Sequence, residues 1–314
     1  MKKKISIISS AFNEQENVWE LYKQVKAEMA KYADKYDYEQ VLLDNASTDG
    51  TLEELRKIAA QDTHFKVIAN ARNFGHIRSP YYGILQCSGD AVIYMASDLQ
   101  DPPALIGQFL AKWEEGFKVV LAQKTQSKES VLFFAVRRFY YWLLNLLNDS
   151  GAQLPANCTG FGLYDKGVVE ELRRLNDPYP YLRGLVCELG YKRALVPFVQ
   201  PTRKRGFTKN NFYTLYDNAM IGFTNHSKVP LRLAAMGGFV LGGISLALAF
   251  VYLILKLLFW NNFPMGTAPI LLGVLFFSSV QLFFIGIIGE YIGAILTQVL
   301  KRPLVIEKER INFK

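Results

Sequence analysis

The first part of the chain alternates between short apolar runs and longer segments with helical spacing of apolar residues. Runs rich in Val, Ile, Leu and Tyr predict strands at residues 4–9, 38–44, 65–69, 91–95 and 118–122. The segments between them predict helices at residues 18–29, 51–61, about 77–86 and 104–115. Strands that alternate with helices are typical of a mainly parallel sheet covered by helices, so the predicted fold class is α/β.

The last third of the chain has a different pattern, with very few charged residues. Between Arg232 and Glu290 the only charged residue in the sequence is Lys256. The uncharged stretches on either side of Lys256 exceed the roughly 20 residues that a helix needs to cross a bilayer. We therefore predict a hairpin of two spanning helices, with two buried core helices as the alternative. The predicted spans are at about 233–256 and 264–289.

Basic residues lie at the outer ends of the predicted hairpin. Lys228 precedes the first span, and Lys301 and Arg302 follow the second, whereas the connecting loop has only Lys256 at its margin. The positive-inside rule places both chain ends in the cytoplasm of a protein of the plasma (inner) membrane. The predicted divisions are a cytoplasmic domain at 1–228, a transmembrane hairpin at 229–298 and a cytoplasmic tail at 299–314.

Composition agrees with this division. The chain is 50% hydrophobic and carries 36 Lys+Arg against 28 Asp+Glu, a formal net charge of +8, which excludes a disordered chain. The basic excess is explained by the hairpin flanks and by one basic segment, so no nucleic-acid partner is expected. Cys87, Cys158 and Cys187 have no metal-like spacing and are predicted to be reduced core residues.

Three polar loops follow predicted strands, at residues 10–14, 44–50 and 97–103. In open parallel sheets, ligands bind beyond the carboxyl ends of the strands, where these loops would meet. Residues 51–54, Thr-Leu-Glu-Glu, fit a capping box that starts a helix directly after the second loop. The sequence has no glycine-rich phosphate-binding motif, so a phosphorylated ligand beside these carboxylates would need a divalent cation.

Four motifs follow one another along the predicted sheet. They are Phe12-Asn13-Glu14, the turn at 44–51, Arg72-Asn73-Phe74-Gly75 and Asp98-Leu99-Gln100-Asp101-Pro102. Their order resembles the family-2 glycosyltransferases, which have a GT-A fold. The narrower resemblance is to polyisoprenyl-phosphate glycosyltransferases, namely dolichol-phosphate mannose synthase and the bacterial bactoprenol (undecaprenyl-phosphate) enzymes. The segment Gly-Ile-Ile-Gly-Glu-Tyr-Ile-Gly at 286–293, followed by Lys-Arg-Pro, is similar to the end of the second span in the bacterial branch.

The resemblance implies a nucleotide-sugar site with Mg²⁺ or Mn²⁺ as cofactor. It implies nucleotide binding by Asp44, for which a turn-capping role is the alternative. It also implies metal coordination by Asp98 and Gln100, for which a helix N-cap before Pro102 is the alternative, and the two roles are compatible. The implied nucleotide-sugar contacts are Ala11, Asn13, Glu14, Asp44, Ser97 and Asp98, and the implied catalytic residues are Asp98, Gln100, Arg203 and Lys209.

A basic segment at 203–209 contains four cations and no acid. Such a run is most often a solvated face or a membrane-surface patch. In the family, an Arg-x-x-Gly-x-Ser-Lys segment near the membrane contacts substrate phosphates, and this segment matches it. The implied phosphate and lipid contacts are Lys124, Arg203, Thr208 and Lys209. Lys124 stands where relatives often have arginine, which is a better bidentate donor.

The chain departs from the family pattern at two places. Ala96 stands where the family has the first acid of Asp-x-Asp, so one metal ligand is lost or is replaced by Asp101 or water. Gly160 and Gly162 replace an acid and an arginine, so the role of an acceptor-side base cannot be transferred. A phosphate monoester has a second pKa of about 6 and can act as its own nucleophile.

Residues 131–147 are apolar on almost all sides and rich in aromatic side chains. The pattern predicts a helix that lies in the membrane interface, with a buried core helix as the alternative.

These features predict an inverting transferase that moves a sugar from a nucleotide sugar, a UDP-hexose, to a polyprenyl phosphate at the cytoplasmic membrane face. The product would be a lipid-linked sugar donor for cell-envelope glycosylation. The resemblance also suggests a homo-oligomer, with a tetramer as one candidate. One alternative is a processive polysaccharide synthase, although the chain lacks the Gln-x-x-Arg-Trp motif of those enzymes. The other alternative is a catalytically silent membrane adaptor.

Overall fold

The structure is a computed structural model that describes residues 2–126, 155–201, 220, 228–259 and 267–313. The predicted interfacial helix at 131–147 and the basic segment at 203–209 lie outside the described residues. The described strands are β1 (Lys3–Ala11), β2 (Tyr36–Asp44), β3 (Phe65–Asn70), β4 (Ala91–Tyr94), β5 (Val119–Gln126), β6 (Cys158–Asp165), β7 (Arg193–Val199) and β8 (Glu307–Ile311). The described α-helices are α1 (Val18–Ala30), α2 (Thr51–Gln61), α3 (Gly75–Gln86), α4 (Ile106–Glu114), α5 (Lys166–Leu175), α6 (Leu182–Glu188), α7 (Val229–Leu258) and α8 (Thr267–Leu300).

The described strands form one eight-stranded sheet in the order β7-β5-β6-β4-β1-β2-β3-β8. Strand β1 is parallel to both β2 and β4, and β2 is parallel to β3. Strand β6 is antiparallel to β4 and β5, and β8 is antiparallel to β3. The prediction of an α/β fold with a mainly parallel sheet is confirmed, and each predicted strand and helix of the first 126 residues is present within a few residues of its expected bounds.

Helices cover both faces of the sheet, and this explains why the central strands are continuous apolar runs. On one face, Ile5, Ile7 and Phe109 belong to a fully buried cluster with α1, α2 and α4. On the other face, Ile8 and Tyr81 pack with α3 and α5. The cysteines are buried and free, as predicted for Cys87, Cys158 and Cys187.

Gly162 in β6 allows a close approach to the neighbouring strand. A Cβ atom at this position would collide with the carbonyl oxygen of Val120 in β5. The arginine that the family pattern carries here could therefore not be accommodated without a shift of the backbone. The glycine has a packing reason that is independent of catalysis.

Helix α2 begins at Thr51 as predicted, but the predicted capping box is wrong. The N-cap residue is Gly50, and Thr51 is already inside the helix. Asp49 takes the capping role, because its carboxylate accepts the Thr51 N–H at 3.0 Å. The Thr51 hydroxyl instead accepts the Glu14 N–H at 2.9 Å, which ties the helix to the loop after β1.

Helices α7 and α8 are long and apolar enough to cross a membrane, by length and composition, over Val229–Leu255 and Phe276–Leu300. Most residues of these two helices are exposed, and Ala234 is the buried one among those that the structure describes. The second helix continues past the predicted end of the span at residue 289, as far as Leu300. A C-terminal pair of apolar helices therefore follows the α/β domain.

The chain returns to the sheet after α8. Strand β8 pairs with β3, so that Ile311 lies opposite Val67, and the Ala71 N–H donates to the Ile306 carbonyl at 2.9 Å. The Asn312 side chain donates to the carbonyl of Phe65 at 2.8 Å. The sequence does not predict this strand, because its Glu-Lys-Glu-Arg-Ile sequence is typical of a solvated tail.

Candidate active site at the carboxyl edge of the sheet

The loops after β1 and β2 are joined by hydrogen bonds at the carboxyl edge of the sheet. The Asn13 N–H donates to the Ser47 hydroxyl at 2.9 Å, and the Thr48 N–H donates to Asn13 Oδ1 at 2.8 Å. Asn13 and Ala46 have φ angles of 58° and 57°, in the left-handed region that turns both loops sharply. The predicted contacts Asn13 and Glu14 therefore lie beside the Asp44 loop.

Asp44 ends β2, and only 1% of its surface is exposed. Its carboxylate accepts the Ser47 N–H at 3.3 Å, so it closes its own turn, as the alternative interpretation expects. Burial raises the pKa of this carboxyl above its ordinary value. The Ala11 methyl group is also buried, and its carbonyl accepts the Asn45 N–H at 2.9 Å. Direct nucleotide contacts by Asp44 and Ala11 stay predictions.

Asn45 organises the edge of the site, although the sequence motifs do not point to it. Its Oδ1 accepts the Phe74 N–H at 2.9 Å, and its Nδ2 donates to Asn73 Oδ1 at 2.9 Å. It also receives a hydrogen bond from Asn70 at 3.0 Å. The one available signal was a polar residue directly after Asp44 at a strand end, which is too common in turns to be specific.

The loop after β4 brings the predicted metal ligands to the same edge. Asp98 and Gln100 are both partly exposed, and Asp98 Oδ1 accepts the Gln100 N–H at 3.1 Å across Leu99, whose φ is 62°. The Ser97 hydroxyl donates to the Ser10 carbonyl at 2.9 Å and holds this loop against β1. The Asp98 carboxylate and the Gln100 side-chain amide thus lie on one short turn.

Asp98 and Gln100 fit a hard cation as ligands only if substrate oxygens complete its coordination. Among the residues that the structure describes, no group of three or more His, Cys, Asp and Glu side chains could hold a metal ion. Mg²⁺ typically takes one or two protein carboxylates and obtains its other oxygens from water and substrate phosphates. Asp98 and Gln100 would supply the protein share of such a site.

Asp101 closes the loop after β4, which carries the predicted metal ligands Asp98 and Gln100. Only 5% of its surface is exposed, and its Oδ2 accepts the Ala96 N–H at 2.9 Å. Burial is the largest cause that raises the pKa of Asp101 to about 6, the nearby Asp98 charge adds to the rise, and Lys124 opposes it. This carboxylate is committed to the Ala96 amide, so it is poorly placed to replace the missing first acid.

Lys124 lies near the end of β5, at the same edge as Asp101. Its backbone N–H donates to the Asn157 carbonyl at 3.1 Å, and it lies opposite Phe198 of β7. Strand β7 runs parallel to β5 and ends at Val199, so the chain leaves this edge just before the basic segment. Of the predicted phosphate contacts, Arg203, Thr208 and Lys209 lie outside the described residues.

Arg183 is a further cation near this edge that the motifs do not indicate. It lines a small cavity together with Cys158, Gly160 and Tyr164. Gly160 has a φ of 93°, and a Cβ atom there would lie 3.9 Å from the Tyr94 ring. The missing side chain at Gly160 thus leaves space between Tyr94 of β4 and Leu182 of α6.

Comparison with known proteins identifies the family. Residues 6–173 match the model of glycosyl transferase family 2. The uncharacterized glycosyltransferase YkcC of Bacillus subtilis (strain 168) is 34% identical over 310 residues, which cover 98% of this chain and 94% of the relative. The chain belongs to glycosyl transferase family 2. Its resemblance to the polyprenyl-phosphate branch is confirmed, because the SfII prophage-derived bactoprenol glucosyl transferase of Shigella flexneri is 32% identical over 98% of both chains.

A solved structure confirms the GT-A fold. Glucosyl-3-phosphoglycerate synthase from Mycobacterium tuberculosis, in complex with Mn²⁺, UDP and phosphoglyceric acid, superimposes with a TM-score of 0.50. The match covers 71% of this chain and 76% of that one, at 18% identity. At this identity the likeness establishes the shared fold.

Proposed function

We propose that this glycosyltransferase transfers a hexose from a UDP-sugar to a polyprenyl phosphate, such as undecaprenyl phosphate, at the cytoplasmic face of the plasma membrane. The relative in Shigella flexneri is named a bactoprenol glucosyl transferase, and the synthase from Mycobacterium tuberculosis was crystallised with UDP and Mn²⁺. The product would be a lipid-linked sugar donor for glycosylation of the cell envelope.

One observation carries the proposal: both connections to the apolar helices leave from the candidate active-site edge. Strand β7 ends at this edge, and the chain then leads to α7. Strand β8 is antiparallel to β3, so the chain that returns from α8 enters the sheet at the same edge. A lipid phosphate held at the membrane surface would therefore meet the loops that carry Asp44 and Asp98.

The position of β8 also supports a two-span topology. Because β8 belongs to the same sheet as β1 to β4, the chain before α7 and the chain after α8 lie on the same side of any membrane. An even number of crossings satisfies this requirement, and α7 and α8 supply two. Together with the basic flanks of the hairpin, this favours a multi-pass protein with its sheet domain and both ends in the cytoplasm.

The proposed reaction is a single displacement. A lipid phosphate oxygen attacks the anomeric carbon, the bond from that carbon to the UDP oxygen breaks, UDP leaves, and the configuration inverts. Asp98 and Gln100 would hold Mg²⁺ or Mn²⁺, which when bound neutralises charge on the departing diphosphate. Lys124, Arg203, Thr208 and Lys209 would relieve the repulsion between the two phosphate groups.

No protein base is required at Gly160. The acceptor phosphate is already mostly ionised near neutral pH, since its second pKa is about 6. Binding and orientation by the edge loops would supply most of the rate, by holding the nucleophile in line with the sugar.

Transfer is tested with the purified full-length protein, radiolabelled UDP-sugars and undecaprenyl phosphate. We expect label in the lipid fraction with one UDP-hexose, in the presence of Mg²⁺ or Mn²⁺ and not with excess chelator. The Asp98→Asn variant should lose this activity, whereas Asp34→Asn, an exposed aspartate beyond α1, should keep it. Metal-independent labelling, or an Asp98→Asn variant as active as the unchanged protein, would overturn the proposal.

The departures at Ala96 and Gly160 favour one alternative, a silent adaptor that binds nucleotide without turnover. Calorimetry that shows UDP binding in a protein without transferase activity towards any donor would support it. Product length on a gel separates single transfer from processive synthesis. The proposed homo-oligomer, with a tetramer as one candidate, is measured by native mass spectrometry in detergent.

A further inference from the structure

Strand β8 contacts the sheet next to the loop that carries the Arg-Asn-Phe-Gly motif. Glu307 lies opposite Asn70, the last residue of β3, and the Ile306 carbonyl accepts the Ala71 N–H at 2.9 Å. The loop at 71–75 leads from this point into α3, whose first residue is Gly75. The first residue of this loop is therefore fixed by the part of the chain that follows the apolar helices.

Asn70 connects this contact to the site. Only 2% of its surface is exposed, and its Nδ2 donates to Asn45 Oδ1 at 3.0 Å and to the Ser79 hydroxyl at 2.9 Å. Its own Oδ1 is buried and has no hydrogen-bond partner in the part of the chain that the structure describes. A buried carbonyl oxygen without a partner costs folding free energy, which offsets part of the stability that the two donated hydrogen bonds contribute.

The orientation of both amides follows from a backbone donor. The Phe74 N–H points to Asn45 at 2.9 Å, so the Asn45 atom that faces it must be the carbonyl oxygen. Asn70 must then present its NH₂ group to that same oxygen. Asn45 in turn donates to Asn73. The side-chain amides of Asn70 and Asn45 therefore connect the end of β3 to Asn73 and Phe74 of the loop.

The rest of β8 is attached to the helices on either side. Tyr82 of α3 donates to Glu307 at 2.7 Å, and Arg310 donates to Gln86 at 2.6 Å. Beyond the strand, Asn312 donates to the Ala59 carbonyl of α2 at 2.7 Å. The strand therefore bridges the two helices that flank the candidate nucleotide site.

We propose that β8 is a positioning segment of the donor site: through the Ile306 carbonyl, and through Asn70 and Asn45, it sets the loop at 71–75 for binding of the UDP-sugar. The inference rests on the proposed function for the identity of the donor. It makes donor affinity depend on the chain that follows the membrane hairpin, whereas affinity for the lipid acceptor does not depend on it.

The first test uses the full-length protein in lipid nanodiscs and the Asn70→Leu variant. Leucine fills a similar volume but removes the two hydrogen bonds that Asn70 donates as well as the unpartnered oxygen, so a purely structural role of Asn70 predicts a changed Tm with unchanged kinetics. We expect instead that the KM for the UDP-sugar rises about tenfold, the loss typical of about one net hydrogen bond. The kcat and the KM for undecaprenyl phosphate should stay within about twofold.

The second test compares a variant that lacks residues 304–314 with the Arg56→Ala variant. Arg56 forms an exposed ion pair with Glu309 on β8 and, among the described residues, makes no hydrogen bond or ion pair with residues 71–75, so its variant should behave like the unchanged protein. Hydrogen exchange of the Ala71 and Phe74 amides is measured without any ligand. We expect faster exchange of both amides in the deletion variant, together with weaker UDP binding by calorimetry.

Unchanged exchange at residues 71–75 in the deletion variant would overturn the inference, as would an Asn70→Leu variant with an unchanged donor KM. If neither the variants nor the unchanged protein bind UDP, the proposed donor is wrong instead. In that case the exchange measurement still decides whether β8 positions the loop.

Discussion

The two edges of the sheet differ in the partners and in the pKa shifts of their buried carboxylates. At the amino edge, Glu39 Oε1 accepts the Ser6 hydroxyl at 2.6 Å and the Ser88 N–H at 3.0 Å, and Oε2 pairs with Lys4 and Lys66, each at 2.7 Å. Burial alone would raise the pKa of Glu39, but these hydrogen bonds lower it to about 2.

At the carboxyl edge, Asp44 and Asp101 are held by the amides of Ser47 and Ala96, and no lysine or arginine ion pair reaches them within the described residues. The pKa of both carboxyl groups is raised, chiefly by burial. One edge therefore neutralises its buried carboxylate with lysines, and the other leaves its buried carboxylates with backbone amides as partners. Unpaired charge at one end of a well-paired sheet is typical of a functional site.

The largest expected effect is a loss of activity from a substitution at the carboxyl edge of the sheet. Asp98→Asn should lower kcat/KM by about 100-fold to 1,000-fold, as expected for loss of an electrostatic contact made to the transition state. Its Tm should change by no more than about 2 °C, because the side chain is partly exposed. Transfer assays and thermal unfolding of the same preparation measure both. A large fall in Tm would show that this loop also carries stability.

The reverse pattern is expected for Glu39→Gln. Its two lysine partners would lose a buried anion, which should cost about 3 kcal/mol of folding free energy. For a domain of this size that corresponds to a Tm about 6–12 °C lower. The activity per folded molecule should be unchanged, because the residue lies at the far edge. An active-site defect without loss of stability would contradict the comparison.

The loss of stability in acid should come from the amino edge, because the raised pKa values at the carboxyl edge act in the opposite direction. Because the folded pKa of Glu39 lies below its ordinary value of 4.5, its stabilising contribution is fully present above pH 4.5. The contribution is lost as the pH falls towards about 2, and it amounts to at most about 3 kcal/mol. Unfolding measured from pH 6 to pH 3 should show this loss in the unchanged protein and a flatter curve in Glu39→Gln.

The smallest expected effect is that of Asp101→Asn. The amide oxygen can still accept the Ala96 N–H, and the substitution removes a buried charge that forms no ion pair within the described residues. At pH 7 we expect a Tm that is unchanged or higher, with a gain of about 1 kcal/mol at most. A loss as large as that of Glu39→Gln would mean that the two edges do not differ in kind.

The sequence was a good guide wherever local pattern and sheet rules decide the structure. Apolar runs located β1 to β5, and the rule for carboxyl ends of parallel strands brought the Asp44 and Asp98 loops to one edge. Strands β6 to β8 were not predicted. Gly160 and Gly162 interrupt β6, Pro197 interrupts β7, and β8 is charged because it lies at the sheet edge.

The missing parts of the site depend on contacts between distant residues. Asn45 and Asn70 are separated by 25 positions along the chain, and each is an ordinary polar residue in its own segment. Their role follows from parallel pairing of β2 and β3, which places Asp44 opposite Ala69. The capping box failed for a similar reason, because Thr51 is engaged by the Glu14 amide of another loop.

The edge position of β8 also orders events during synthesis. Residues 307–311 follow both apolar helices along the chain, so the outer edge of β3 lacks this partner until both helices have been made. An unpaired edge strand is prone to association with other chains. Chains arrested before residue 304 should therefore keep fast-exchanging amides along β3 and aggregate when they are released. Completion of the sheet thus follows, rather than precedes, the synthesis of both apolar helices.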